Sequence, residues 1–305
     1  MEVVLKVLFG RILEYLSLSN DNTSYLSMQE KYKYIDDLSI LEKVNLLCIG
    51  LSSYNFRQNV ASDIPQNGHF LDPMNLKTQD SLSKIAEWTR QNQMLLNISK
   101  TKTMNFNFTK KHQFASRLEI ENEVLETITE TKLLGVIIND TLSWDSNTKY
   151  IVKRANARMR MLHKLVEFNV PTEDLLTIYI LYIQSILEQS CQVWHSSLTF
   201  ENLTDIERVQ KNALRIILKN DYENYAQALL KSGLESLVDR REQLCLKFAR
   251  SALKNENVKD MFPMNSPDCP TEIRDREPFS VTFARTDRLK DSAIPYMQRL
   301  LNANK

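Results

Sequence analysis

The sequence predicts an α+β protein in which short strands come first and helices follow. Three observations carry that expectation. Up to about residue 142, apolar residues alternate or come in short runs broken by turn formers, which is the pattern of strands. From Ser146 onward they recur every three to four positions, the period of a helix. Five glycines in 305 residues suit a helix-rich chain and disfavour a glycine-rich nucleotide loop.

Charge and cysteine usage narrow the class further. Thirty-nine basic and 38 acidic side chains nearly cancel, so any electrostatic footprint must be local. Cys48, Cys191, Cys245 and Cys269 lie far apart with no Cys-x-x-Cys, which predicts neither a disulfide framework nor a zinc ribbon. Val3 to Phe9 is apolar, but Lys6 interrupts it and no small-residue cleavage site follows, so no signal peptide is expected. Leu175–Leu187 is the most apolar run; it is too short to span a bilayer and contains Gln184. These features predict a soluble intracellular protein of nucleus or cytoplasm, without a membrane partner.

Taken in order, residues 1–30 form a poorly defined leader. The segment Lys31–Leu41 follows, with Tyr32, Tyr34, Asp36 and Leu38 alternating against Lys33, Ile35 and Asp37. Tyr and Ile favour a strand and Asp-Asp a tight turn, so the segment reads as a hairpin with Asp36 and Asp37 at its tip. Either the two charges are solvated there, or a hard divalent cation such as Mg²⁺ sits beside them. Ser52–Leu76, with Pro65, Gly68 and Pro73, reads as a long loop. A helix is expected from Thr78 to about Gln93 on the spacing of Leu82, Ile85, Ala86 and Trp88.

Leu95–Ile98 and Met104–Phe108 read as strands around Ser99–Lys102. Arg117–Ile120 and Glu123–Ile128 flank Glu121-Asn122 as a hairpin. Thr131–Ile138 is expected as one buried strand, with Gly135 admitting a neighbouring backbone. In the helical half, Lys149, Lys153, Arg154, Arg158, Arg160 and Lys164 fall between Asp145 and Glu167 with no acid among them. Lys149, Lys153, Arg160 and Lys164 share a face, which Arg154 and Arg158 widen, while Ile151, Met159 and Leu162 supply apolar contact. Such a run is either a solvated helix face or a phosphate-binding surface.

Pro171-Thr-Glu-Asp opens the next helix, and Leu175–Ile186, apolar nearly all round, is expected at the centre of the bundle. Cys191 and His195 lie one turn apart; a packed core position is expected rather than a nucleophile with its base or a metal site. Thr199 caps a helix through Leu203, Ile206, Val209, Ala213 and Ile217. Ser236-x-x-Asp239 caps another, with Leu237, Leu244 and Phe248 expected inward. Trp144 and Trp194 are expected to fill core. Pro263, Pro267 and Pro270 mark a boundary before a basic tail that holds a short helix near Ile294–Leu301.

Tyr34-Ile35-Asp36-Asp37 resembles the Tyr-x-Asp-Asp hairpin of reverse transcriptases. The likeness continues through Trp88 and Asn92-x-Met94-x-Leu96-Asn97-x-x-Lys100-Thr-Lys-x-Met104. It extends to Lys132-Leu-Leu-Gly135-Val-Ile-Ile138, Leu142-x-Trp144-Asp145 and Val193-Trp194-His195-x-x-Leu198. Their order resembles the palm-to-thumb half of non-LTR (LINE-type, jockey-like) retrotransposon reverse transcriptases, over most of residues 31–301. The resemblance implies a partial antiparallel palm at 31–145, a helical thumb and C-terminal bundle at 146–255, and a Pro-interrupted basic tail at 256–305.

The resemblance also implies RNA-directed DNA synthesis with Mg²⁺ as cofactor and an RNA template and DNA primer as partners. Asp36 and Asp37 would be catalytic metal ligands, and Tyr34 would lie against nucleic acid. Lys100 matches a lysine near the leaving pyrophosphate, where it would act as general acid; read alone, it is a solvated lysine in a turn. Gly135 falls in the stretch that resembles the primer grip. The Pro-Gln-Gly motif and the upstream catalytic Asp of the family are not found, so the palm is expected to be truncated and inactive alone. Two rival readings stand beside this one: a non-catalytic nucleic-acid-binding remnant, and a helical interaction protein derived from a transposon.

Overall fold

The structure is a computed structural model that describes residues 73–91, 96–106, 117–255, 258–265 and 277–304. The expected leader, the hairpin bearing Tyr34, Asp36 and Asp37, and most of the long loop lie outside the described residues. The chain divides into two compact units, Met1–Ser143 and Trp144–Lys305. Helices dominate and the strands are short, an α+β composition.

In the first unit, α1 (Pro73–Gln91) begins five residues earlier than its apolar spacing suggested, because Pro is well suited to a first helical turn. Leu82 is buried with Leu118, Ile120 and Leu125, and Ala86, Leu96 and Ile98 pack against them. A side-chain amide fixes the helix to the sheet: Gln79 Nε2 donates to the Glu119 carbonyl at 2.7 Å, and Glu119 N–H donates to Gln79 Oε1 at 3.0 Å. Ile98–Lys100 forms a single 3₁₀ turn, which takes the last residue of the strand expected at Leu95–Ile98, because the Asn97 side chain accepts from the Lys100 backbone N–H.

Among the described residues the strands form three separate pairs. β1 (Lys102–Thr103) runs parallel to β4 (Glu126–Thr127), with an Lys102–Glu126 ion pair and the Thr103 and Thr127 hydroxyls 3.0 Å apart. β2 (Glu119–Ile120) and β3 (Glu123–Val124) form the expected hairpin, and both turn residues, Glu121 and Asn122, have positive φ. β5 (Glu130–Leu133) and β6 (Val136–Asn139) correct the expectation of one strand over Thr131–Ile138. Leu134 (φ 48°) and Gly135 (φ 87°) make a two-residue turn between them, and an antiparallel hairpin results. Leu133, Val136 and Ile138 are buried, so the apolar run around the turn hid it.

In the second unit the long α2 (Asp145–Glu167) packs against α6 (Phe200–Leu218). Between them run α3 (Thr172–Tyr179), a π-helical turn at Ile180–Gln184, α4 (Ser185–Glu188) and α5 (Cys191–Trp194). α7 (Tyr225–Ser232), capped by Asn224, ends at Gly233 in the left-handed region (φ 65°). α8 (Leu237–Ala252) packs on α5, α6 and α10 (Ala293–Ala303), the last preceded by the short α9 (Asp287–Lys290). The expected caps form: Thr199 Oγ1 accepts from Asn202 N–H at 3.2 Å, and Ser236 Oγ from Asp239 N–H at 3.1 Å. Among the described residues no helix is long and apolar enough to cross a membrane.

Two expectations about this unit change. The run Leu175–Ile186 is not enclosed all round, since Ile180, Leu181 and Tyr182 on the π turn are exposed. On α8, Leu244 and Phe248 are only half-buried, whereas Leu237, Arg241, Cys245, Ala249 and Ala252 face inward. A one-residue shift rotates a helix face by 100°, enough to carry an arginine inside.

Candidate nucleic-acid interface

On α2, Thr148, Ile151, Ala155, Met159 and Leu162 are buried, three or four residues apart, and fix one side of the helix against the bundle. The opposite side is where Lys149, Lys153, Arg160 and Lys164 stand, all exposed. At 100° per residue these four fall within about 60° of each other and extend over about 22 Å of helix axis. None of them takes part in an ion pair among the described residues. The only acids on the helix are Asp145 and Glu167 at its ends, and Asp145 accepts from Asn202 Nδ2 at 2.7 Å. The arrangement is a single-signed, solvent-facing stripe suited to a polyanion.

Arg154 and Arg158 serve a different purpose from the stripe. Both are half-buried. Arg158 Nη1 donates to the Tyr182 carbonyl at 2.6 Å, and Arg154 donates to Gln189 Oε1 at 3.5 Å while lying 5.4 Å over the Tyr150 ring. They therefore fasten α2 to the segment between Tyr182 and Gln189, and they stand about 80° and 120° round the helix from Lys164, the nearest residue of the stripe.

The remaining predicted site residues are dispersed. Lys100 is exposed at the end of its 3₁₀ turn, and Gly135 occupies the β5–β6 turn. Tyr34, Asp36 and Asp37 lie outside the described residues. Among the described residues no group of three or more His, Cys, Asp or Glu is placed to hold a metal ion. As a donor set, Asp36 and Asp37 are two neighbouring carboxylates, whereas a two-ion site takes carboxylates that converge from separate segments. The pair alone does not fit a two-ion site.

A buried polar cluster went unread in the sequence. Arg241 is fully buried; its Nε donates to His195 Nδ1 at 3.2 Å and its guanidinium lies 5.8 Å from the Trp194 ring centroid. Its two terminal nitrogens, like Glu207 Oε2, have no hydrogen-bond partner among the described residues. Glu207 Oε1 accepts from Leu237 N–H at 3.2 Å and from the Tyr225 hydroxyl. The Tyr179 hydroxyl donates to Gln210 Oε1 at 2.7 Å, and Gln210 Nε2 reaches the Tyr225 oxygen and the Glu235 carbonyl.

The electrostatics of this cluster oppose chemistry there. Burial, then the Arg241 charge, lowers His195 from its ordinary 6.5 to about 4. Its Nδ1 is occupied as an acceptor, so His195 is not a base for Cys191. A hydrogen bond with the Cys191 thiol, then burial, pushes the Cys245 thiol up. Cys191, His195, Trp144 and Trp194 are core residues, as expected. The one sequence signal for Arg241 was its spacing, four residues from both Leu237 and Cys245.

No family model, curated protein or solved structure matches the chain.

Proposed function

We propose that the chain is the palm-and-thumb part of an RNA-directed DNA polymerase of the non-LTR retrotransposon type, and that α2 grips the RNA–DNA duplex. The exposed stripe of Lys149, Lys153, Arg160 and Lys164 carries this reading, because it concentrates four cations without an ion-pair partner among the described residues on a nearly neutral protein. Phosphates lined along such a face release counterions, which makes affinity fall steeply with salt. Folding needs no such stripe, since α2 is already held by its opposite side, where Asn147, Thr148, Ile151, Ala155, Met159 and Leu162 are buried.

The test is fluorescence anisotropy of a labelled blunt RNA–DNA hybrid across a salt series. Three or four phosphate contacts predict a log–log slope of about −3, from about −0.9 per contact. Lys153→Gln with Arg160→Gln should flatten the slope by about two contacts' worth while circular dichroism stays unchanged. An unchanged slope with intact helicity rules α2 out as the binding face. The catalytic part of the reading rests on Asp36 and Asp37: in any form of the protein that extends a primer with Mg²⁺, Asp36→Asn should abolish extension and leave hybrid binding in place.

A further inference from the structure

Two opposite charges lie inside the helical unit, and the chain satisfies each only in part. Arg241 on α8 has no exposed surface; its Nε donates to His195 Nδ1 at 3.2 Å, but Nη1 and Nη2 have no acceptor among the described residues. Glu207 on α6 is 9% exposed; its Oε1 accepts from Leu237 N–H at 3.2 Å and from the Tyr225 hydroxyl. Its Oε2 has no donor among the same residues. The bond to Leu237 puts the carboxylate beside α8 one turn, about 6 Å, before Arg241, and Leu237 and Arg241 share the buried face of that helix. Burial disfavours the Arg241 charge, and the Glu207 carboxylate is foremost among the groups that favour it. The two groups are neighbours, yet their free atoms are not bonded to each other.

A buried donor or acceptor left unmade carries the full cost of its desolvation, and that cost is larger for charged groups. Whatever completes this pair must accept from Arg241 and donate to Glu207. Water does both, and three polar partners are what an internal water ordinarily takes. A halide could accept from the guanidinium, but the carboxylate would repel it and it has no proton to give. A metal cation could bind the carboxylate, but the guanidinium would repel it. We infer that the interior of the helical unit holds a water-binding site between Arg241 Nη1 and Nη2 and Glu207 Oε2. The bound water joins two half-made sets into one network that runs from His195 through Arg241 to Glu207, Tyr225 and the start of α8. It ties α8 to α6 and lets both charges stay inside without direct contact.

The test pairs a high-resolution crystal structure of the full chain with magnetic relaxation dispersion of the solvent oxygen nucleus, which counts water held inside a protein for longer than the protein tumbles. The expected result is a density peak within hydrogen-bond distance of both an Arg241 Nη and Glu207 Oε2. The dispersion amplitude should drop by at least one water when Arg241→Met is combined with Glu207→Met. Removing both charges together leaves no lone buried charge in the variant. If the double variant does not fold, the density in the native chain decides alone. An Arg241 Nη bonded directly to Glu207 Oε2, with no density between them, overturns the inference in favour of a direct ion pair. An anomalous peak at that position after a bromide soak overturns it in favour of an anion. An unchanged dispersion amplitude in a folded double variant overturns it as well.

Discussion

Lowering the pH from 7.5 to 5 interrogates the buried cluster around Arg241. His195 titrates at about 4 in the folded chain against an ordinary 6.5, because burial and the neighbouring guanidinium both disfavour the imidazolium. Between those two values the unfolded chain binds a proton that the folded chain refuses. The unfolded state therefore gains as pH falls, and stability is lost through this window rather than gained. The contribution is absent above about pH 6.5, reaches about 2 kcal/mol of destabilisation at pH 5, and levels off near 3 kcal/mol below the folded value, at 1.36 kcal/mol per unit.

Urea unfolding at the two pH values, on the native chain and on His195→Asn, isolates the term. Asn can still accept from Arg241 Nε, and its packing cost is the same at both pH values and cancels. The native chain should lose about 2 kcal/mol more than the variant between pH 7.5 and 5. Carboxylates contribute little to the difference, since they remain mostly ionised over this range and are common to both proteins. Arg241→Met should move the His195 midpoint back toward 6.5 without restoring it fully, because burial, the larger cause, persists. A His195 midpoint near 6.5 by NMR in the native chain, or identical pH slopes for native and variant, refutes the reasoning.

Two further outcomes test packing and backbone. Trp194→Ala should destabilise by about 3–5 kcal/mol in denaturant unfolding, since the indole is fully buried and its Nε1 donates to the Gln189 carbonyl at 3.1 Å; normal unfolding with lost hybrid binding would reverse the structural assignment. Gly135→Val should cost more than about 1 kcal/mol and Gly135→Asn much less, because φ of 87° at the β5–β6 turn is strained for a β-branched residue and tolerated by Asn; equal stability of the two variants would show that the turn relaxes.

What the sequence disclosed was whatever local chemistry determines. Thr199 and Ser236 cap their helices because a hydroxyl and an N–H three residues on need nothing else. Asn122 tolerates positive φ, so the Glu121-Asn122 turn was visible. Lys149, Lys153, Arg160 and Lys164 fall on the exposed face of α2 because the apolar residues claim the other one. Features set by distant partners stayed hidden. The Leu134–Gly135 turn sits inside an apolar run whose two halves are both buried, so no change of polarity marked it. The parallel pairing of β1 with β4 joins segments more than twenty residues apart and leaves no periodic trace. The apolar Leu175–Leu187 run gave no sign that a π turn would expose Ile180 to Tyr182. Arg240-Arg241 reads as surface charge until helix packing places one of the pair beside Trp194 and His195.

The polar core and the cationic stripe are linked through α6. α2 lies on α6 through smooth side chains such as Ile151, Ala155 and Leu162, and contacts of that kind tolerate sliding. Hydrogen bonds do not, because they are directional and costly to leave unmade once buried. Gln210 on α6 engages Tyr179 of α3, Tyr225 of α7 and the Glu235 carbonyl before α8, so one amide fixes the register of four helices. Glu207, one turn earlier, adds the Leu237 N–H at the start of α8. α3 in turn leads directly into the π turn that Arg158 clasps from α2. The surface presented by α2 and the π turn is thereby positioned from both sides, by apolar burial against α6 and by the Arg158–Tyr182 bond. Breaking the Gln210 hub should loosen the relation between the stripe and the π turn before it abolishes helicity, because the apolar layer persists without it.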